Sequence, residues 1–596
     1  MKYIIRLLKK YWWQLLLLVA TTYGSVLANL SLPDYMASIV NKGIVGQNMS
    51  LIWGDGWKML LITAAGGLCV VVASFLAARI ATGVARMLRD QVFERIESFA
   101  LADFHMFSTA SLITRSTNDI QQIQTTSIML LRIALMAPLM AIGGLQKALM
   151  NAPSLSWIIA LAVSVLLIVI LTLFILAIPR FRKLQKLIDK LNLVARENLT
   201  GLRVVRAFHT EAVEQRKFEN VNQPLTRLNL VVNRLMMVTE PVMTLVMSVS
   251  TVAVVWFGAV AISSGDLEIG NMLAFMQYAM QVIISFLMIS IVFIMAPRAA
   301  VSVKRVSEVL NIQPSIGDPK KPKTLSQNGT GRIEFKDVTF SYPDADLPVL
   351  SGISFTAKPG QTTAFIGSTG SGKSTLINLI PRFYDVSAGQ ILLDGVDVRD
   401  LKLTDLYSQI GYVPQKGVLF SGSIKSNVAY GNSQASKEVI QRAIKVAQAG
   451  EFVSKLDDGL ESSVTQGGGN VSGGQRQRLS IARALTVQPN VYIFDDSFSA
   501  LDFKTDAQLR KELRNETKGK TVLIVGQRIN TIADADKIIV LDEGKIVGQG
   551  CHNELMKSCE VYREIATSQL SDKELKAMSQ SPTKSSSGVR KEAEND

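Results

Sequence analysis

Six apolar stretches crowd into the amino-terminal half of this chain, each near the 20 or so residues that a helix needs to cross a hydrocarbon layer roughly 30 Å thick. They run Trp13–Leu32, Met59–Ala78, Ile128–Ala148, Leu155–Ile178, Pro241–Ile262 and Met272–Met295. A buried helix of a large soluble protein accounts for one such run but not for six in succession. This half is therefore read as a block of six membrane-spanning helices.

At 596 residues the chain exceeds what one hydrophobic core organises, and the remainder reads as an ordinary soluble domain. A net charge of +14 fits either nucleic acid or an anionic membrane surface as partner. The basic residues flank the apolar runs, and the sequence holds no aromatic-basic stripe or nucleic-acid motif, so a lipid bilayer is expected and nucleic acid is not. Three cysteines, Cys69, Cys551 and Cys559, make no disulfide framework and lack zinc-ligand spacing. The basic start Met1–Lys10 precedes an apolar run without a small-residue cleavage site, which reads as a retained first helix rather than a signal peptide.

Lys and Arg set the orientation, since they are retained on the cytoplasmic side. Lys2, Arg6, Lys9 and Lys10 lie at the amino end, Arg79, Arg86, Arg89, Arg95 and Arg115 after the second run, and Arg180, Arg182, Lys183, Lys186, Lys190, Arg196, Arg203 and Arg206 after the fourth. The opposite connections, such as Ser263–Asn271, are short and poor in basic residues. Both termini and the soluble domain are expected on the cytoplasmic side of a cell membrane. The two inside connections are long and keep helical periodicity, so each is expected to form an arm reaching about 30 Å from the bilayer. Their tips, near Ala110–Arg115 and Phe208–Val213, are candidates for contacts with the soluble domain.

From Arg332 the pattern changes to β-rich runs alternating with helical stretches: Ile333–Phe340, Thr362–Ile366, Gln390–Leu393, Val491–Phe494, Thr521–Val525 and Lys537–Leu541. Between a predicted strand and a predicted helix lies Gly367-Ser368-Thr369-Gly370-Ser371-Gly372-Lys373-Ser374, followed by Thr375, a phosphate-loop spacing. Its glycines let successive backbone amides curl around a phosphate, and the helix amino end adds positive charge. Lys373 is then expected on the β- and γ-phosphates of ATP and Ser374 on Mg²⁺. The apolar run Val491–Phe494 ends in Asp495, where a magnesium-orienting carboxylate belongs.

Further motifs carry a resemblance. Val471-Ser472-Gly473-Gly474-Gln475 resembles the signature of ABC transporters, Tyr342 the aromatic that stacks on adenine, Gln415 in Tyr412-Val-Pro-Gln the glutamine loop, and Ser499-Ala-Leu-Asp502 the D-loop. With Glu197–Arg206 in the second arm, the chain is similar over most of its length to bacterial multidrug-type ABC exporters. The resemblance implies a six-helix membrane domain with long cytoplasmic extensions, followed by an α/β nucleotide-binding domain. The expected boundaries are 1–310 for the membrane domain, 311–331 for a linker, 332–569 for the ATP-binding domain and 570–596 for a disordered tail. It also implies that Tyr342, the loop residues 367–375, Gln415, Ser472–Gln475 and Asp502 bind ATP. Ser374, Gln415 and Asp495 would hold Mg²⁺.

Two positions depart from that pattern. The catalytic glutamate of the family is here Asp496, and the histidine that contacts the γ-phosphate is here Gln527. Aspartate sets its carboxylate back by one methylene, and glutamine carries neither proton nor charge. None of His105, His209 and His552 stands at a motif position. A site that binds ATP and cleaves it slowly is expected, in a heterodimer whose second half-transporter supplies the complete pair. A homodimeric ATPase and an ATP-binding sensor subunit are the alternatives.

The cargo is only faintly marked. Met236, Met237, Met243, Met247, Met272, Met276, Met280 and Met288, beside Gln277, Tyr278 and Gln281, suit a pliable cavity for amphipathic small molecules or lipids and equally suit ordinary helix packing. Arg132 and Glu240 lie in or beside apolar runs, where they line a water-filled path or sit near the interface.

Overall fold

The computed structural model describes residues 2–325, 329–343 and 345–571; most of the expected tail lies outside the described residues. The chain divides into two compact units, one made of the residues up to Glu97 and Ser108–Ile312, the other of Ser98–Phe107 and the residues from Gln313 onward.

The first unit is helical. Its main elements are α1 (Trp12–Ser38), α2 (Met49–Glu97), α3 (Ile120–Asn151), α4 (Ser156–Thr200), α5 (Glu211–Met237), α6 (Thr239–Ser263) and α7 (Ile269–Asn311). Among the described residues six helical runs are long and apolar enough to cross a membrane, and each contains one of the predicted spans: Trp12–Ile44, Met49–Glu97, Thr109–Asn151, Pro153–Thr200, Glu211–Ser263 and Ile269–Asn311. The 49 residues of α2 extend about 70 Å at 1.5 Å per residue, far more than a bilayer requires. Such excess length makes the arms continuous with the spans.

Small residues let these helices approach. A Cβ on Gly144 of α3 would stand 2.9 Å from Val282 of α7. Polar side chains then tie the helices together. Asp34 of α1 accepts from Lys147 (2.6 Å) and Asn151 (3.2 Å) of α3 and from the Tyr278 hydroxyl of α7 (2.6 Å). Tyr278 is fully buried, and Gln281 donates to the Asn29 carbonyl, so two polar residues of the methionine-rich stretch hold α1. Of the methionines, Met243 is buried and Met272 and Met276 pack on a helix-helix core, whereas Met237 and Met280 are exposed. Arg132 and Glu240 are exposed on this chain.

The structure corrects the tip of the first arm. Ala110–Arg115 is helical and belongs to the first unit, while the chain folds over earlier, at Ser98–Phe107, which belongs to the second. There Asp103, nearly buried, accepts from the Ala100 and Ser315 amides. The helical periodicity runs on through this point, so the break leaves no periodicity signal in the sequence. The second tip carries the short helix Leu202–Ala207, with Leu202, Val204 and Phe208 exposed.

The second unit holds β1 (Ile333–Phe340), β2 (Leu350–Ala357), β3 (Thr362–Gly367), β4 (Ala388–Leu393), β5 (Val396–Asp397), β6 (Ile410–Val413), β7 (Gly422–Ser423), β8 (Ser463–Val464), β9 (Val491–Asp495), β10 (Thr521–Val525), β11 (Lys537–Asp542) and β12 (Lys545–Gly550). One antiparallel sheet has the order β2-β1-β4-β5; the larger sheet has the order β12-β11-β3-β10-β9-β6. In the larger sheet all neighbours are parallel except the β11–β12 edge pair. Strands β9 and β10 are buried throughout and carry unbroken apolar runs, as parallel strands covered on two faces do. The site is bordered by helices α8 (Lys373–Leu379), α9 (Gly473–Thr486), α10 (Phe503–Glu516), α11 (Ile529–Ile532) and α12 (Glu560–Gln569).

Residues 313–325, read as linker, lie on this unit: the Lys323 amide donates to the Asp400 carbonyl, and Asp318 accepts from the Leu403 amide.

Candidate functional site

Strands β3, β10, β9 and β6 are successive parallel neighbours, so their carboxyl ends lie side by side along one edge of the sheet. Each leads into a segment singled out from sequence: the phosphate loop after β3, Gln527 after β10, Asp495 and Asp496 at the end of β9, Gln415 beyond β6. Ligands of open parallel sheets bind at such an edge.

Gly372 caps α8 at φ 94°, a left-handed conformation, and a Cβ there would stand 2.7 Å from Leu350. Lys373 curls back so that its Nζ donates to the Gly367 carbonyl (2.9 Å), the Ser368 carbonyl (2.7 Å) and the Ser371 hydroxyl (3.3 Å). Burial pulls its ammonium pKa below the ordinary value, against Asp496 and Asp495, which favour the charge. The next hydroxyl, Ser374 Oγ, donates to Asp495 Oδ1 at 3.0 Å. Burial raises the Asp495 carboxyl, with the Ser374 hydrogen bond opposing it.

Asp496 occupies a left-handed conformation, φ 45°, where an aspartate is tolerated better than most side chains. Its Oδ2 accepts from two amides, Gln527 Nε2 at 2.8 Å and Gln415 Nε2 at 3.3 Å. Burial pushes its carboxyl upward, while hydrogen bonds from Gln415 and Ser499 and the charges of Lys373 and Arg528 pull it back. Tyr342 stands beside the start of α8: its hydroxyl is 3.0 Å from Thr375 Oγ1, and its ring packs edge-on against Phe340 and Tyr384.

Ser374 Oγ, the Asp495 carboxylate and the Gln415 amide oxygen are hard oxygen donors, the chemistry that Mg²⁺ prefers when it also binds phosphates and water. Among the described residues no cluster of three His, Cys, Asp or Glu could hold a metal on its own.

The remaining predicted residues make no hydrogen bond to this group among the described residues. Ser472 caps α9: its hydroxyl accepts from the Gln475 amide, and Gln475 Oε1 accepts from the Ser472 amide in return, a reciprocal capping box. Ser472 and Gly473 are exposed, and nothing lies within 4 Å of a Cβ built on Gly473. Among the described residues no hydrogen bond joins Ser472, Gly473, Gly474 or Gln475 to the phosphate loop. Asp502 caps α10 by accepting from the Thr505 amide, which lowers its pKa.

Sequence reading missed Gln477. Buried on α9, it donates to the Pro414 carbonyl (3.1 Å) and accepts from the Gly417 amide (3.0 Å), so it brackets Gln415. A glutamine on the inward face of a helix that opens with polar residues was the available signal.

Residues 15–286 match the ABC transporter transmembrane region, and residues 350–499 match the ABC transporter family. An uncharacterised ABC transporter ATP-binding protein of Mycobacterium tuberculosis is 42% identical over 548 residues, 91% of this chain and 94% of that protein. This chain belongs to the ABC transporter family. An ATP-dependent lipid A-core flippase of Syntrophus aciditrophicus is 31% identical over 509 residues, 84% of this chain and 82% of the flippase. The structure of a bacterial Atm1-family ABC exporter with ATP bound superposes with a TM-score of 0.77 at 25% identity, covering 94% of this chain and 98% of that one. This ABC transporter therefore has the exporter architecture, a multi-pass membrane unit followed by an ATP-binding unit, and is an ATPase coupled to transport.

Proposed function

We propose that this chain is one half of a heterodimeric ABC exporter whose own phosphate loop builds the slower of two ATP sites. The observation that carries the reading is the Asp496–Gln527 pair, with two amides spent on one carboxylate oxygen. A water-activating carboxylate works from the position that its side-chain length gives it, and about 1 Å of displacement can cost on the order of 100-fold in rate. Gln527 offers a neutral hydrogen bond to a γ-phosphate, with no proton to give and no charge to set against the transition state.

In this reading Tyr342 stacks on adenine, and Gly367–Thr375 cradle the phosphates with Lys373 on the β- and γ-oxygens. Ser374, Asp495 and Gln415 hold Mg²⁺, which neutralises phosphate charge when bound. Ser472, Gly473, Gly474, Gln475 and Asp502 complete the partner's site rather than this chain's own. The exposed signature, with open space over Gly473, supports that role. The distribution of Lys and Arg supports termini and ATP-binding unit on the cytoplasmic side. An amphipathic small molecule or a lipid is the proposed cargo, in keeping with the flippase among its relatives.

ATP turnover by the purified full-length chain, alone and with a half-transporter carrying Glu and His at these positions, tests the reading. Slow turnover alone and fast turnover together is expected. Fast turnover alone, abolished by Asp496→Asn, would establish a self-sufficient homodimer instead.

A further inference from the structure

In the loop that carries Gln527, the Gln527 carbonyl and the Ile529 amide have their hydrogen-bond partner outside the loop. The loop leaves β10 at Val525 and enters α11, a four-residue helix whose N-cap, Arg528, is extended (φ −106°, ψ 132°) and gives no side-chain cap. The Arg528 guanidinium lies instead over the Phe503 ring, 5.6 Å from its centroid. The first amide of α11 and the carbonyl before Arg528 thus need partners from elsewhere.

Gln569, the last residue of α12, supplies the two. Its Oε1 accepts from the Ile529 amide at 2.9 Å and its Nε2 donates to the Gln527 carbonyl at 2.8 Å, so one side-chain amide pairs with the backbone on either side of Arg528. The helix that carries it is fixed: Tyr562 and Ala566 are fully buried, Leu570 nearly so, and the Tyr562 hydroxyl lies 2.7 Å from His552 Nδ1. From this anchor an unbroken chain of contacts runs through Gln569 to the Gln527 backbone, and through the Gln527 side chain to Asp496 Oδ2.

We propose that Gln569 is a positioning residue for this ATP site, holding the Gln527 loop so that its side chain meets Asp496. The proposal rests on Asp496 and Gln527 forming the reacting end of the site, as argued above. It is the counterpart of the Gln477 bracket around Gln415: each amide that reaches Asp496 stands on a loop clasped by a glutamine from a neighbouring helix.

The test is single-turnover hydrolysis of radiolabelled ATP by the purified full-length chain, without a faster partner, in excess over ATP, with ATP affinity measured alongside. Gln569→Ala should lower the hydrolysis rate roughly 3- to 10-fold, a displacement of a fraction of an ångström, and leave affinity within about twofold. In a Gln527→Ala background the same change should have no effect, because the group being positioned is gone; a general loss of structure would lower both alike and overturn the proposal. Hydrogen exchange is the second measurement: protection of residues 526–529 should fall in Gln569→Ala while that of β9 and β10 stays. Unchanged protection, or an unchanged rate, would also overturn it. The slow-site reading fails separately, when Asp496→Glu with Gln527→His brings no acceleration, and that result leaves the role of Gln569 standing wherever Gln569→Ala slows the parent chain.

Discussion

At the scale of single residues, the slow site proposed here turns on one methylene and one ring. Restoring the longer carboxylate and the titratable ring together, Asp496→Glu with Gln527→His, is expected to raise single-turnover hydrolysis at this site at least roughly tenfold, because it supplies reach and charge at once. Either change alone should gain less, since the two side chains meet. Burial adds a pH signature. The Asp496 carboxyl is held above its ordinary range and must be ionised to accept a proton, so the acid limb of kcat/KM, which reports the free enzyme, is expected above pH ~4. The sign for stability is the reverse: a raised folded pKa favours the protonated native state, so this contribution is present at low pH and is lost as pH rises through the elevated value. A pH–rate profile with its acid limb in the ordinary carboxylate range would contradict the buried placement. The phosphate-loop spacing and the strand-ending Asp495 are local features that the sequence displays directly, whereas Asp496 and Gln527 were singled out through the family resemblance. The glutamines that position them were not, since Gln477 and Gln569 act on loops far from them in sequence, and no local pattern distinguishes them from other polar helix residues.

Among elements, the contrast is between what periodicity announces and what packing decides. The apolar spans and the strands β9 and β10 were readable because each is a continuous apolar run. Strands β2, β6 and β12 were missed: β2 and β12 mix glycine and polar residues into their runs, and β6 is four residues long. The fold-over at Ser98–Phe107 was missed because Asp103 caps it through tertiary contact with the Ser315 amide. Two element-level outcomes follow from buried polar groups. Gln477→Leu leaves the Pro414 carbonyl and Gly417 amide unpartnered, which costs about 1–3 kcal/mol per orphaned group. The apparent unfolding temperature of the ATP-binding unit in the intact chain should drop by several degrees, as differential scanning fluorimetry with and without ATP would read. His552 provides the second. Its burial lowers its pKa, so the native state prefers it neutral; that stability is complete above the unfolded value near 6.5 and is lost as pH falls below it. Wild type should therefore lose thermal stability between about pH 7.5 and 5.5 more steeply than His552→Gln.

For the molecule as a whole, the decisive fact is that the phosphate loop and the signature stand on one chain without a hydrogen bond between them among the described residues, the signature capped on itself and exposed. In the reading proposed above, a composite ATP site takes its loop from one chain and its signature from another, and the identity of the second chain becomes an experimental question with two distinct answers. Ser472→Arg fills the open space at the signature but leaves the loop untouched, whereas Lys373→Ala does the converse. If two copies of this chain formed the transporter, each variant alone would be dead, and mixing them would give half of the dimers one intact loop-signature pair, restoring about a quarter of the turnover in a symmetric assembly. In the heterodimer proposed here the outcome is asymmetric. Ser472→Arg silences the fast site built on the partner's loop and abolishes turnover, Lys373→Ala removes nucleotide from the slow site and leaves much of the turnover in place, and co-expression of the two variants adds nothing to the activity of the second. Steady-state ATP turnover of the purified assemblies, with ATP occupancy of each chain read by photolabelling, separates these outcomes, and complementation between two inactive variants would replace the heterodimer with a pair of identical chains.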